Sequence, residues 1–426
     1  MIPETTMPPP TPNAPDERRR LPVSRSLLFT VVGLVLLSLV RVVTDADDLT
    51  SVGTFGAALR GTVPILLAGL GGLYAERCGV VNIGLEGMMI LGTWFGAYGA
   101  TEWGAWEGVL FAIVGGALGG LLHAVATVTF GVDHVVSGVA INILGAGVAR
   151  YLSVIAWVGE GTGGGATQSP KVNVDVGDLD LPFLAGGFDT PDVLGRIARW
   201  RWFVVSDVAA VLRSLTGGLS LLTVLALLLV PATAFFLWRT KLGLRLRSAG
   251  ENPHAAESLG VDVYRVKYIG VIVSGAMAGL AGAFLVLEGA GIYREGQTGG
   301  RGFIGLASLI FGNWRPSGVA LGAGLFGFAD ALRLRDEGAV HALLLLVALA
   351  AGIAALVLLY RRRVRAAAFV AAVAAGFAWW YASSDEVPRE FLSFTPHLVT
   401  LLVLAFATQR LRPPAADGLP YRKGET

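Results

Sequence analysis

Two stretches of this chain combine polar side chains, glycine and spacing in a way that could do chemistry. The first runs Glu76-Arg77-Cys78-Gly79-Val80-Val81-Asn82-Ile83-Gly84-Leu85-Glu86-Gly87-Met88-Met89. An amide and a carboxylate amid glycines, between two apolar runs, mark a bend or break in a helical path. Broken backbone at membrane depth lines a cavity or is buried in protein. A carboxylate in such a place has to be paired, protonated or hydrated. The second stretch runs Gly243-Leu244-Arg245-Leu246-Arg247-Ser248-Ala249-Gly250-Glu251-Asn252-Pro253-His254-Ala255-Ala256-Glu257-Ser258-Leu259-Gly260-Val261. Asn252 suits a helix N-cap, Pro253 suits the first turn, and Gly260 ends it. A short helix over 253–260 would then present Ala255, Ala256 and Leu259 as a small apolar face. Such a knob is suited to a groove in a soluble partner.

Other reactive constellations are missing. There is no G-x-x-x-x-G-K-[ST] loop to cradle phosphates, and the glycines Gly161 to Gly165 lack the lysine and the strand–helix setting. No H-E-x-x-H or G-x-S-x-G occurs, the five histidines are scattered, and no metal site is expected. One cysteine, Cys78, excludes an internal disulfide framework and a multi-thiolate zinc site. The chain is therefore not expected to be an enzyme, and no catalytic residue is assigned. Work against a gradient would draw on another polypeptide or on an ion gradient. Ion-driven transport calls for ionisable groups deep in the bilayer. Arg60, Glu76, Glu86, Arg150, Glu288 and Asp330 are the candidates, but most stand near segment ends, and Asp330 and Arg60 read as interfacial or paired.

The elements that must position these residues are membrane helices. Of 426 residues, 54% are hydrophobic and only 15% charged, against roughly 45–50% and about 25% in soluble proteins. That balance argues against a soluble enzyme, a nucleic-acid-binding module or a disordered chain, and the net charge of +2 implies no polyanionic partner. About 20 apolar residues span the hydrocarbon core. Segments of that kind lie at 26–43, 58–74, 84–101, 107–130, 135–157, 218–238, 267–287, 316–332, 340–360, 365–382 and 391–408. The run 302–312 follows Gly299–Gly300 and is too short for an ordinary crossing, so it reads as a broken one. The predicted fold is an all-α polytopic bundle of about 10–12 transmembrane helices. The glycine pairs Gly115/Gly119, Gly116/Gly120, Gly275/Gly279 and Gly318/Gly322 predict close helix packing. Trp103, Trp106, Trp238, Trp314, Trp379 and Trp380 fit an interfacial belt.

Residues 1–20 are expected to be a disordered cytoplasmic N-terminus. A transmembrane core follows over 21–337, with an outside loop 158–217 and a cytoplasmic loop 239–266. An inserted pair of helices occupies 338–385, and 386–426 holds a last helix and a cytoplasmic tail. A short surface helix is expected around Pro191–Leu212. Counting 302–312 as a crossing puts Arg239, Lys241, Arg245, Arg247, Arg265, Arg361–Arg363 and Arg365 inside with both termini, as the positive-inside rule requires. The acidic pieces Asp45–Asp48, Asp336–Glu337 and Asp385–Glu386 then fall outside.

Together these stretches resemble the permease subunits of bacterial ABC importers for simple sugars, branched-chain amino acids and nucleosides, most of all the nucleoside and simple-sugar group. Asn82–Glu86 resembles their Asn-Ile-Gly-x-Glu-Gly signature, and Asn252–Gly260 their cytoplasmic coupling helix. Ser274–Gly282, Gly302–Gly312 with Pro316-Ser317-Gly318, and the tail Gly418-Leu419-Pro420-Tyr421 are similar as well. The likeness covers roughly 55–335 and 390–421, whereas 338–385 departs from the usual pattern. It implies a multi-pass protein of the bacterial cell membrane that works by alternating access. It implies three partners: a separate ATPase that binds ATP and Mg, a second permease subunit, and an extracytoplasmic substrate-binding lipoprotein. Asn252, Pro253, Ala255, Ala256, Glu257, Leu259 and Gly260 would meet the ATPase. Asn82, Glu86 and Asn142 would line the substrate path; Asn142 sits in the apolar run 135–148 and needs a hydrogen-bond partner or water. Sparse charge suits a neutral cargo, with a nucleoside ahead of simple sugars and branched-chain amino acids. A secondary transporter and an integral-membrane enzyme are the competing readings.

Overall fold

The computed structural model describes residues 23–159, 161, 163–333, 337–384, 387 and 411–423. The N-terminus 1–20 and the predicted crossing 391–408 therefore lie outside the described residues, as do the charges Asp336, Asp385, Glu386 and Arg410. Every other apolar segment coincides with a helix. In chain order these are α1 (Val23–Thr44), α2 (Val52–Arg77), α3 (Leu85–Glu102), α4 (Ala105–Ala124) and α5 (His134–Trp157). After a long excursion with α6 (Val193–Arg199) and α7 (Val205–Ser214) come α8 (Leu221–Arg239), α9 (Lys241–Glu251) and α10 (Pro253–Ser258). Next are α11 (Val263–Phe284), α12 (Arg301–Phe311), α13 (Pro316–Arg333), α14 (Glu337–Tyr360) and α15 (Val364–Ser383). A wide π turn extends α4 through Val125–Thr129 and another extends α11 through Leu285–Ala290. Seven of the described helices are long and apolar enough to cross a membrane. Sheet is confined, among the described residues, to β1 (Asp178–Leu179) paired antiparallel with β2 (Leu219–Ser220), which ties the excursion to the start of α8. The protein is an all-α polytopic membrane protein.

Helix ends follow local chemistry. Ser51 caps α2 by accepting from the Thr54 amide at 3.1 Å. Asp133 caps α5 by accepting from Val135 and Val136. Asn252 accepts from Ala255 at 3.0 Å with Pro253 behind it, and Gly260 leaves α10 with φ +82°. In the excursion two short helices, α6 and α7, stand where one was expected. The break at Trp200–Val204 is held by the Ser206 hydroxyl, which accepts from the Trp202 amide and donates to the Ile197 carbonyl.

The bundle is built around α2 and α11. Their apolar windows are 72% and 67% buried, against 11% for α15, which packs on α14 at the periphery. α3, α4 and α11 meet along glycine. A Cβ on Gly279 would stand 2.1 Å from the Ala112 carbonyl oxygen, and one on Gly116 would stand 2.2 Å from that of Gly275. Gly318 and Gly312 make the same kind of contact. Trp314 departs from the interfacial belt: it is 6% exposed, and its indole N–H donates to Glu76.

Gly279→Val should therefore force α4 and α11 apart. We expect a loss of about 3 kcal/mol, the upper end for overpacking, read as a lowered midpoint of thermal unfolding in detergent. Gly324→Val, which meets nothing within 4 Å, should leave the midpoint unchanged.

Candidate functional site

The helical path breaks after α2. The chain runs without helix through 78–84 and restarts at Leu85. Neighbouring helices bond the backbone groups of Val81, Ile83 and Gly87, as broken backbone inside a membrane requires. Asn142, from α5, accepts from the Gly87 amide at 2.7 Å and donates to the Ile83 carbonyl at 3.1 Å. His123, from α4, bonds the Val81 carbonyl at 3.1 Å, and His134 Nδ1 accepts from the Val81 amide at 3.3 Å. Asn82 is fully buried. Its amide donates to Ser274 Oγ of α11 at 2.8 Å, while its Oδ1 has no hydrogen-bond partner.

Glu86 faces a second break. The Glu86 carboxylate accepts from the Gly300 amide at 2.9 Å through one oxygen and from the Gly302 amide at 2.7 Å through the other. It thus caps the N-terminus of α12, where orphan N–H groups and the helix dipole both favour an anion. This meets the requirement that a buried carboxylate be paired. A glycine is needed opposite: a Cβ on Gly302 would stand 2.6 Å from Glu86 Cα. The structure thus brings Asn82, Glu86 and Asn142 together around 81–87.

Beside the capped end of α12 lies a cavity of about 380 Å³, bounded by α2, the π turn of α11 and α13. Its polar lining is Arg60, Glu288, Gln297, Arg301 and Asp330; Pro64, Phe284, Leu285 and Ala331 supply apolar wall. Arg301 Nη2 donates to Asp330 Oδ2 at 3.1 Å, and its other terminal nitrogen reaches the Gln297 and Thr298 carbonyls. Gln297 Oε1 accepts from the Arg294 amide at 2.5 Å, while its Nε2 is buried without a partner. Two guanidinium groups, two carboxylates and an amide give a cavity rich in donors and acceptors but balanced in formal charge. Arg60 also borders a larger cavity of about 980 Å³ among α1, α2 and the α6–α7 excursion. Asp330 is paired, as the sequence indicated. Arg301 and Gln297 were not singled out; the Gly299–Gly300 pair and the short run behind it marked the helix but not what its first turn faces.

At the opposite end of the bundle, α9 and α10 form a connected corner. Ala255 and Leu259 are exposed on it, Leu259 by 85%, as are Asn252 and Gly260, while Glu257 is half-buried. Ala256 differs from expectation. It is 2% exposed and turned inward with Pro253, because one turn of helix laid on a surface must bury its underside. The outward apolar face is Ala255 and Leu259 alone. The described tail 411–423 lies against this corner: the Ala416 amide donates to the Gly250 carbonyl at 2.9 Å, and the Tyr421 hydroxyl donates to Glu257 at 2.5 Å.

Comparison with known proteins places these features in one group. The chain is 34% identical to the guanosine ABC transporter permease protein NupQ of Bacillus subtilis, over 87% of this chain and 96% of that protein. It is 29% identical to the nucleoside ABC transporter permease protein NupC of Lactococcus lactis, over 85% and 95% respectively. A putative glucose ABC transporter permease protein, TsgC13 of Haloferax volcanii, is 33% identical over 68% of this chain and 80% of its own. No solved structure matches. Residues 55–335 match the family described as branched-chain amino acid transport system / permease component, a span that holds both breaks, the cavity and α10 and ends before α14. The chain belongs to this permease family.

Proposed function

We propose that the chain is the permease subunit of an ATP-binding cassette importer that carries a nucleoside into the cell. The observation that supports this best is the charge-balanced cavity at the capped end of α12. A neutral cargo rich in hydroxyl, amide and ring-nitrogen groups can be held there by Arg301, Asp330, Gln297, Glu288 and Arg60 without a net charge to match. Half-helix termini beside a cavity are the usual construction of a transport site. Asn82, Glu86 and Asn142 border the path by holding the two breaks that shape it. The relatives named for guanosine and nucleosides support the choice of cargo; the relative named as a putative glucose permease supports a simple sugar as the second reading.

In this reading the α6–α7 end faces outward, where a substrate-loaded lipoprotein delivers cargo into the larger cavity, and Arg60 stands between the two cavities. The α9–α10 end faces the cytoplasm with both termini, in the orientation that the basic loop 239–266 favours. ATP and Mg bind to a separate ATPase subunit, into which Ala255 and Leu259 dock, and a second permease subunit completes the path. Closure of the ATPase moves α10 and exposes the cavity alternately to the two sides.

Leu259→Arg tests this assembly. An anchor residue at the centre of a small interface carries much of its energy, so retention of the ATPase on the purified permease should fall by about tenfold. Labelled guanosine uptake into proteoliposomes should fall with it. Ala256→Arg is a weaker probe because it disturbs the packing of α10 itself. Uptake that survives ATP depletion but collapses with an uncoupler would overturn the reading. Glucose uptake without guanosine uptake would select the sugar reading.

A further inference from the structure

The tail 411–423 carries more than its place at the α9–α10 corner requires. Tyr421 is only 6% exposed although it lies on a terminal segment. Its hydroxyl donates to Glu257, and its ring packs 5.2 Å from that of His254, so one side chain grips two residues a turn apart on α10. The same ring lies 5.8 Å from that of Tyr264 and 5.8 Å from Lys267 Nζ, both on α11. A few residues earlier the tail turns to the first break. A Cβ on Gly79 would stand 3.1 Å from the Ala416 carbonyl oxygen, and one on Gly418 would stand 3.4 Å from Val81 Cγ2. The Asp417 carboxyl interacts electrostatically with that of Glu76 in the last turn of α2, and burial pushes its pKa up to about 7. The Arg412 amide donates to Asn313 Oδ1 at 2.8 Å, beside the end of α12. Among the described residues, no hydrogen bond runs directly from 253–258 to 76–86.

We propose that residues 411–423 are a strap that joins α10 to the broken stretch 76–86, so that a displacement of α10 reaches the cavity wall through Tyr421 and Asp417. This rests on the reading of α10 as the ATPase contact. The physical reason is stiffness. A helix of six residues leaves through Gly260 at φ +82°, where an added Cβ would meet nothing within 4 Å, so no side-chain packing supports that exit and motion toward α11 passes it less well than it passes a packed contact. Beside the packing of Gly250 in α9 against Arg77 and Gly79, the strap adds a second packed route: α10 to the Tyr421 ring, then through 416–418 to Glu76, Gly79 and Val81. From there the chain leads directly to Asn82 and to Glu86, the cap of α12. Tyr421 and Asp417 are thus positioning residues that touch neither ATP nor cargo.

The test compares two readouts in the full chain purified with its ATPase and reconstituted with labelled guanosine. Tyr421→Ala should leave ATPase retention and ATP hydrolysis near their starting values while guanosine moved per ATP falls about tenfold, within the usual range for coupling between sites. Tyr421→Phe, which removes only the bond to Glu257, should give a smaller fall in the same ratio. An unchanged ratio in Tyr421→Ala sinks the strap, whatever happens at α10. Unchanged ATPase retention in Leu259→Arg sinks the docking reading instead. Where Tyr421→Ala fails to fold, the Tyr421→Cys/Glu257→Cys double variant serves, since Cys78 is fully buried. Before bridging, this variant should move little guanosine per ATP; bridging its two thiols with a short bifunctional reagent should restore the ratio, because strap and helix again move together, and a ratio that stays low on bridging would refute the proposal.

Discussion

Replacing Glu86 with alanine is expected to abolish uptake and to lower the unfolding midpoint of the protein in detergent. The substitution deletes both acceptors at the N-terminus of α12 and leaves the Gly300 and Gly302 amides without their partner. Loss of an N-cap typically costs about 0.5–2 kcal/mol, and hydrogen bonds to a charged group about 1.5–3 kcal/mol each. Glu86 is 7% exposed, so little water stands ready to replace it. The site can relax only in part, and we expect a net loss of about 3 kcal/mol, near the lower bound of the two bonds together. Glu86→Gln separates capping from other roles. An amide offers one oxygen and, in place of the second acceptor, an NH2 that confronts a backbone N–H. It should therefore lose about half of the stability lost by the alanine variant. If Glu86 instead served as a proton carrier or touched cargo, glutamine would abolish uptake while leaving the midpoint where it was. That outcome would overturn the capping role.

The sequence showed that a break existed at Asn82–Glu86 and that a carboxylate there needed a partner. It did not show that the partner was the start of α12, which lies more than two hundred positions along the chain. Local rules reach as far as a turn of helix. Asn252, Pro253 and Gly260 announce α10 correctly because a cap, a first-turn proline and a left-handed exit all act within that distance. The inward turn of Ala256 escapes local rules for the same reason: it is set by what lies beneath α10, not by its own neighbours. The membrane helices were legible because a run of apolar residues long enough to span leaves little alternative. The cavity was not. Its five polar groups come from α2, the π turn after α11, the loop before α12, α12 itself and α13, and no spacing in one segment encodes their convergence.

The second large effect is expected at Arg301. This side chain and Asp330 are 24% and 19% exposed, and they face each other at 3.1 Å in the cavity wall. Arg301→Ala leaves the Asp330 carboxylate beside the cavity without that counter-charge. Breaking a buried pair costs about 3–5 kcal/mol, but a wall that is partly wet screens the charge, so we expect about 1–2 kcal/mol in stability. The loss in transport should be larger. Arg301 anchors its guanidinium on the Gln297 and Thr298 carbonyls as well as on Asp330, so its removal deprives the cavity of a fixed donor fork and frees the loop that carries Gln297. Guanosine uptake should fall by about a hundredfold at subsaturating substrate, equivalent to about 2.7 kcal/mol. Arg301→Lys should recover little of it, since an ammonium cannot reproduce a planar fork. The decisive variant is Arg301→Ala combined with Asp330→Ala. Removing both charges should restore most of the stability, because neither is left without the other, while uptake stays low because the cargo has lost both partners. If uptake returns together with stability, the pair only braces the wall, and the cargo is held elsewhere.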